Sequence, residues 1–282
     1  MRTETVRSGG ITLDVASYGD DGTPAVLFVN AVGMENELLA GLGAEFRAHG
    51  LDLVTWELRG SPGAGPGRVT LADHTADALA VLDAAGITRA HVAGWCTGAS
   101  IGLFVTHALG ERALSFTSVD GAMLFTGSPG ARLGNAVFDM CAKISADDGR
   151  AGFYHEAVRP RGNESAVLGL PDEELTRMVT WPYRQDVEAL TRFAHGIHAA
   201  NDYDPVAACS GLRTPSLFLA REDDEMVSHL HTRRAAALIA GAELSVLPTG
   251  GHYALFTDPA GAAGRMAAFM HRAGRRAGTA AR

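Results

Sequence analysis

Short apolar runs alternate with amphipathic stretches along this chain, and the alternation lapses once. Residues 4–18 read as two short strands about Gly9-Gly10, a hairpin signal. Pro24 to Asn30 (PAVLFVN) is apolar almost throughout, the pattern of a strand buried on both faces. Glu35 to His49 carries helical spacing and stops at Gly50. Leu51 to Leu58 is the next strand, and a Gly/Pro loop follows over 59–67. Leu71 to Ala85 predicts a helix, Arg89 to Trp95 a buried strand, Thr97 to Leu109 a helix, and Ala113 to Val119 a strand ending at Asp120.

From Gly121 to Ala208 the strand signals become scarce and helical patterns dominate. The alternation then returns. Thr214 to Ala220 and Glu243 to Leu247 read as strands, and His229 to Ala240 and Pro259 to Gly274 as helices. The last dozen residues are rich in Arg, Ala and Gly and read as a frayed tail. Strands alternating with helices predict an α/β fold with a mostly parallel sheet covered on both faces. The interruption predicts a helical cap, 121–208, inserted into a core made of 1–120 and 209–282.

The length of 282 residues fits one large α/β domain with an insertion, and 46% hydrophobic content is enough to fill its core. A formal net charge of −8 argues against nucleic-acid partners and anionic membrane surfaces. No apolar stretch is long enough to span a bilayer. Met1-Arg2-Thr3-Glu4 leads into polar, strand-like sequence, so no signal peptide is expected. Three cysteines, Cys96, Cys141 and Cys209, form neither a disulfide framework nor a C-x-x-C pair. A reducing cytoplasm suits them.

The chemistry begins at Gly94-Trp95-Cys96-Thr97-Gly98. A G-x-S-x-G run between a strand and a helix makes a tight turn that lifts its central residue out of the sheet top. Here that residue is Cys96. Glycines on either side remove side chains that would strike the neighbouring strand and helix. The turn also sets Cys96 at a helix N-terminus, where the dipole favours a thiolate. A free cysteine is more often a small buried hydrophobe, but the elbow turns its central residue away from the core.

Gly250-Gly251-His252-Tyr253 follows the last strand, and a histidine in that loop can reach the elbow as a general base. His91 and His107 sit inside predicted elements and read as structural. His195 and His198 are one helical turn apart but lack an H-E-x-x-H pattern, so they read as a solvated helix face rather than a metal pair. Two carboxylates compete as the partner of His252. Asp224 lies in Arg221-Glu222-Asp223-Asp224-Glu225, after a strand, and is preferred; its neighbours read as solvated. Asp120 ends the strand after the elbow helix and is the rival. Either can hold the imidazole tautomer and stabilise the imidazolium. An oxyanion would be met by the backbone N–H of Thr97 and by that of Val32, in the loop Asn30-Ala31-Val32-Gly33. Trp95, Phe138, Trp181 and Tyr183 are candidate pocket residues. The run Gly60 to Gly67 lacks the Lys-Ser/Thr of a phosphate cradle and reads as a rim loop.

These features together resemble the α/β-hydrolase superfamily over nearly the whole chain. The matching positions are Arg59-Gly60, the elbow at 94–98, the strand and acidic turn at 214–224, Gly250-Gly251-His252, and Asp258-Pro259. The chain order nucleophile, acid, histidine also agrees. Two positions depart: Cys96 stands where most members have Ser, and Asn30-Ala31 replaces the usual His-Gly. Cysteine-nucleophile members include dienelactone hydrolases, which are shorter and lack a large helical cap. The tetramate- and pyridone-forming Dieckmann cyclases, capped and cofactor-free, are more similar. That resemblance implies a Cys96-bound acyl group taken from a carrier-protein thioester, ring closure, and no cofactor. The alternatives are a thioesterase or esterase with Cys in place of Ser, and a non-catalytic binder of small ligands.

Overall fold

A computed structural model describes residues 1–19, 22–61, 68–159, 170 and 172–280. Eight strands form one sheet: β1 (Arg2–Ser8), β2 (Ile11–Ser17), β3 (Ala25–Val29), β4 (Asp52–Trp56), β5 (Ala90–Trp95), β6 (Ala113–Val119), β7 (Ser216–Arg221) and β8 (Glu243–Leu247). Their spatial order is β1-β2-β4-β3-β5-β6-β7-β8. The first two strands pair antiparallel with each other, and β2 pairs antiparallel with β4; every later pairing is parallel. Gly9 and Gly10 turn the β1–β2 hairpin with φ of 53° and 84°, angles that a two-residue turn of matching twist requires.

The continuous apolar runs are explained by burial on both sheet faces. In β3, Leu27 and Val29 join one core cluster while Val26 and Phe28 join the other, as the two-residue period of a strand dictates. The first cluster packs under α2 (Leu71–Ala84) and α3 (Thr97–Leu109); the second packs under α1 (Ala40–Ala48) and the C-terminal helix, here α12 (Pro259–Ala280). Fully burying one Phe such as Phe28 contributes roughly 1.5–3 kcal/mol. Thr70 opens α2 with a reciprocal capping box to Asp73.

Between β6 and β7 the described residues form helices joined by loops, with no strand among them: α4 (Arg132–Ala146), α5 (Ala151–Val158), α6 (Glu173–Val179), α7 (Trp181–Arg184), α8 (Val187–Ala199) and α9 (Pro205–Ser210). Two short helices, α10 (His229–Leu238) and α11 (Ala254–Thr257), complete the set. No helix among the described residues is long and apolar enough to cross a membrane.

The C-terminus corrects the expectation of a frayed tail. Helix α12 runs to Ala280. Its alanines are strong helix formers, and Met266, Phe269, Met270 and Ala273 anchor one face in the core. Residues 62–67 of the predicted rim loop lie outside the described residues.

Candidate active site

Cys96 stands between the end of β5 and the start of α3 with φ 53° and ψ −124°. That conformation is costly for a residue with a Cβ. Its neighbours make it possible. A Cβ on Gly94 would collide with the Gly98 backbone, and one on Gly98 with the carbonyls of Val29 and Asn30. The elbow is pinned from the next strand: the Cys96 N–H donates to the Val119 carbonyl at 3.1 Å, and the Cys96 carbonyl accepts from the Ala122 N–H at 2.9 Å.

His252 arrives from the loop after β8. Its Nδ1 is 2.8 Å from Asp224 Oδ2, with both side chains buried. The second oxygen of Asp224 accepts the N–H groups of Met226 and Val227 at 2.7 and 2.8 Å, which fixes the carboxylate before the imidazole reaches it. Burial alone would lower the His252 pKa. The charges of Asp224 and Cys96, and hydrogen bonds to both, outweigh burial and hold the imidazole well above its ordinary value.

Asp120 is placed differently. One oxygen is bound by the Arg221 guanidinium, and both side chains are almost fully buried. Burial raises the Asp120 carboxyl and the Arg221 charge opposes that rise. The structure thus brings His252 to Asp224, while Asp120 is engaged by a cation that ends the neighbouring strand.

Asp223 is exposed, in keeping with its reading as a solvated residue, yet it also has structural partners. Its carboxylate accepts the N–H groups of Gly250 and Gly251 at 3.0 and 2.9 Å, so the acidic turn clamps the histidine loop by two adjacent residues. Trp95 adds a third hold: its indole N–H donates to the His252 carbonyl at 3.1 Å, and the two rings lie 5.0 Å apart.

The Thr97 N–H opens α3 and has no i−4 carbonyl to meet. The Val32 N–H donates to the Thr97 hydroxyl at 3.1 Å. Asn30 shapes that loop from within, its side-chain oxygen accepting the Ala31 N–H at 2.9 Å and its amide donating to the Glu35 carbonyl at 3.1 Å. One of the two N–H groups expected to face an oxyanion is therefore held by the side chain of the residue that carries the other.

Above them lies a cavity of about 380 Å³, with Cys96, Thr97 and His252 in its wall. This volume falls within the usual range for small-molecule pockets. Its lining is mainly aliphatic and aromatic, including Val32, Met140, Val179, Phe193 and Ile197. The helical segment supplies part of its wall, Met140, Phe193 and Ile197 among it, and rests on the loops that carry Asp224 and Val32. The Glu225 carbonyl accepts the Leu133 and Gly134 N–H groups at the start of α4. A Cβ on Gly33 would fall 2.6 Å from the Phe193 ring, and one on Gly196 would fall 2.6 Å from Val32.

Of the candidate pocket residues, Trp95, Phe138 and Tyr183 line the cavity and Trp181 does not. Residues 181 and 183 lie roughly 200° apart around a helix, so α7 can present only one of them inward. The sequence reading missed Tyr253, Phe193 and Ile197. Tyr253 adjoins the histidine and was open to discovery; the other two sit on α8, whose facing no single sequence reveals.

Three of the histidines singled out in the sequence, His91, His107 and His195, have structural partners. His91 Nδ1 meets the Ser115 hydroxyl at 2.8 Å, and His107 Nε2 meets the Ala208 carbonyl at 2.9 Å. His195 is buried, 3.1 Å from the Ser145 hydroxyl and 2.9 Å from Asp148, which corrects its assignment to a solvated face; His198 is exposed. No His, Cys, Asp or Glu cluster among the described residues has the makings of a metal site.

The sheet order, the elbow after β5 and the histidine loop after β8 define an α/β hydrolase. Residues 11–265 match the model of the alpha/beta hydrolase family, and the chain belongs to that family. Among curated relatives, it is 27% identical over 206 residues to the "Putative carbamate hydrolase RutD" of Pseudomonas syringae pv. syringae (strain B728a), covering 71% of this chain and 74% of that one. Two solved structures share the fold. The enol-lactonase from Burkholderia xenovorans LB400 superposes with a TM-score of 0.76 at 19% identity, covering 95% of this chain and all of the other. A hydrolase from Pseudomonas aeruginosa PA01 gives 0.74 at 21% identity, over 95% and 98% of the two chains.

Proposed function

We propose that this protein is a cysteine-dependent acyl hydrolase of the esterase or thioesterase type, working through a Cys96 thioester. One observation carries the reading: a histidine locked onto Asp224 is set against a thiol in the wall of an apolar cavity. A module that only binds ligands has no need of that base beside that thiol.

The Cys96 proton passes to His252, and the resulting thiolate attacks the acyl carbonyl. The carbonyl oxygen becomes an oxyanion and takes the N–H groups of Thr97 and Val32. The charged oxygen is a better acceptor than the Thr97 hydroxyl that Val32 meets in the free protein. Each such donor contributes roughly 2.7–4 kcal/mol to the transition state. The tetrahedral adduct collapses, the bond to the leaving group breaks, and His252 protonates that group. Water then attacks the thioester, His252 takes its proton, and the acid and the free thiol are released. Asp224 keeps the imidazole in the required tautomer throughout.

The family and the hydrolases among its relatives support hydrolysis. The thiol itself supports a second reading: Dieckmann-type ring closure of a chain delivered as a carrier-protein thioester. A thioester reacts readily with an enolate, and a dry apolar cavity slows the competing attack by water. Either reaction uses the same first half and needs no cofactor, and three free cysteines suit a reducing cytoplasm.

A panel of esters, thioesters, lactones, carbamates and a β-ketoacyl-aminoacyl thioester, with products identified by mass, tests the proposal. Free acids whose formation is lost in Cys96→Ala support hydrolysis. A ring product dependent on Cys96 moves the assignment to cyclisation. Full turnover by Cys96→Ala overturns both.

A further inference from the structure

Two phenol groups in the cavity have no work in the mechanism above. Tyr183, on α7, and Tyr253, next to His252, both line it. Their rings are held by aromatic packing: Tyr183 edge-on to Phe193 at 5.6 Å, and Tyr253 against Trp95 at 5.8 Å. Their hydroxyls form no hydrogen bond among the described residues, and neither belongs to the residues with further unspecified partners. Tyr18 and Tyr203 behave otherwise: Tyr18 donates to the Asn36 carbonyl at 2.9 Å and Tyr203 to the Ser100 hydroxyl at 3.1 Å. Both tyrosines are half-buried and neither hydroxyl is enclosed, so each is open to a ligand that enters the cavity.

The two groups are neutral donors. Burial first, and the nearby Cys96 charge in addition, push both phenols above their ordinary range. They therefore suit an acceptor oxygen rather than a cation. That oxygen is not the scissile carbonyl, whose place is beside Thr97 and Val32. The other hydroxyls in this wall are engaged: that of Thr180 donates to the Thr176 carbonyl at 2.7 Å, and that of Thr97 accepts the Val32 N–H at 3.1 Å.

We propose that Tyr183 and Tyr253 form a second polar subsite that selects acyl groups bearing an additional acceptor oxygen, keto or hydroxyl, close to the scissile carbonyl. The cap supplies one donor and the core the other, so such an oxygen also ties the two together over the nucleophile. The inference rests on the reading of Cys96 as nucleophile.

The test measures kcat/KM for hexanoyl, 3-hydroxyhexanoyl and 3-oxohexanoyl thioesters of N-acetylcysteamine, with the native protein, Tyr183→Phe, Tyr253→Phe and the double variant. The readout is the ratio of oxygenated to plain substrate, in which a general loss of activity cancels. The native ratio is expected to exceed one, and each lost hydroxyl to reduce it by roughly three- to tenfold. A native protein that treats the three alike, or Phe variants that keep the native ratio, overturn the inference while Cys96-dependent turnover leaves the nucleophile standing. Turnover that persists in Cys96→Ala overturns the nucleophile and this subsite together.

Discussion

Asp224 divides its two oxygens, one on the imidazole of His252 and the other on the backbone of its own turn. The carboxylate is thus oriented by its loop and the imidazole by the carboxylate. Asp120, only one strand away, is spent on Arg221.

This difference separates two substitutions. Asp224→Asn should reduce the acylation rate by about 10²–10⁴-fold, because the amide favours the wrong tautomer of the imidazole. Asp120→Asn should cost far less in rate but about 3 kcal/mol or more in stability, since it leaves the Arg221 charge buried without its partner. Single-turnover kinetics and urea unfolding distinguish the two. Equal rate losses would return Asp120 to the candidate triad.

The His252–Asp224 pair also predicts a pH dependence with a definite sign. The folded imidazole holds its proton more tightly than the unfolded one. The stabilisation is fully present below the ordinary histidine value of about 6.5 and is lost as pH rises through the folded value. The stability gap between the native protein and Asp224→Asn should be widest below that point and narrow in the alkaline range. A gap that widens with pH contradicts the assignment.

Asp223 should prove a positioning residue. Asp223→Ala frees two glycine N–H groups that hold the histidine loop. We expect kcat to fall about tenfold, the scale of one or two hydrogen bonds, with a smaller change in KM. Hydrogen exchange at Gly250 and Gly251 should quicken. Unchanged exchange there would show that the clamp is idle.

Gly98→Ala tests the elbow. Its Cβ would meet the carbonyls of Val29 and Asn30, backbone that cannot swing aside. A loss of roughly 1–3 kcal/mol and a sharp drop in Cys96 alkylation are expected. Native alkylation in the folded variant would show that the strained turn is not needed.

Much of this arrangement was legible in the sequence because it lies where elements end. Cys96 closes one strand and opens one helix, and His252 and both candidate acids follow strands, so the strand pattern together with the Gly94-to-Gly98 run and Gly250-Gly251 located them. The sequence favoured Asp224, but the reason Asp120 is engaged elsewhere, Arg221 reaching across to the neighbouring strand, was not legible. Asp223 hid within an acidic run whose charges read as solvated. The helical segment between β6 and β7 was legible as a lapse in the strand rhythm, but its facing was not: nearby helical residues such as Trp181 and Tyr183 differ in direction through packing that only three dimensions supply. The last helix was underread because Arg and Gly suggested fraying, while its alanines and buried methionines held it together.

The central claim is a covalent bond to Cys96. Intact-protein mass spectrometry during turnover of an activated ester, followed by peptide mapping, tests it directly. The account predicts a native adduct of one acyl group on the peptide containing Cys96, absent from Cys96→Ala. Turnover with no adduct at any time, or an undiminished rate in Cys96→Ala, would contradict it.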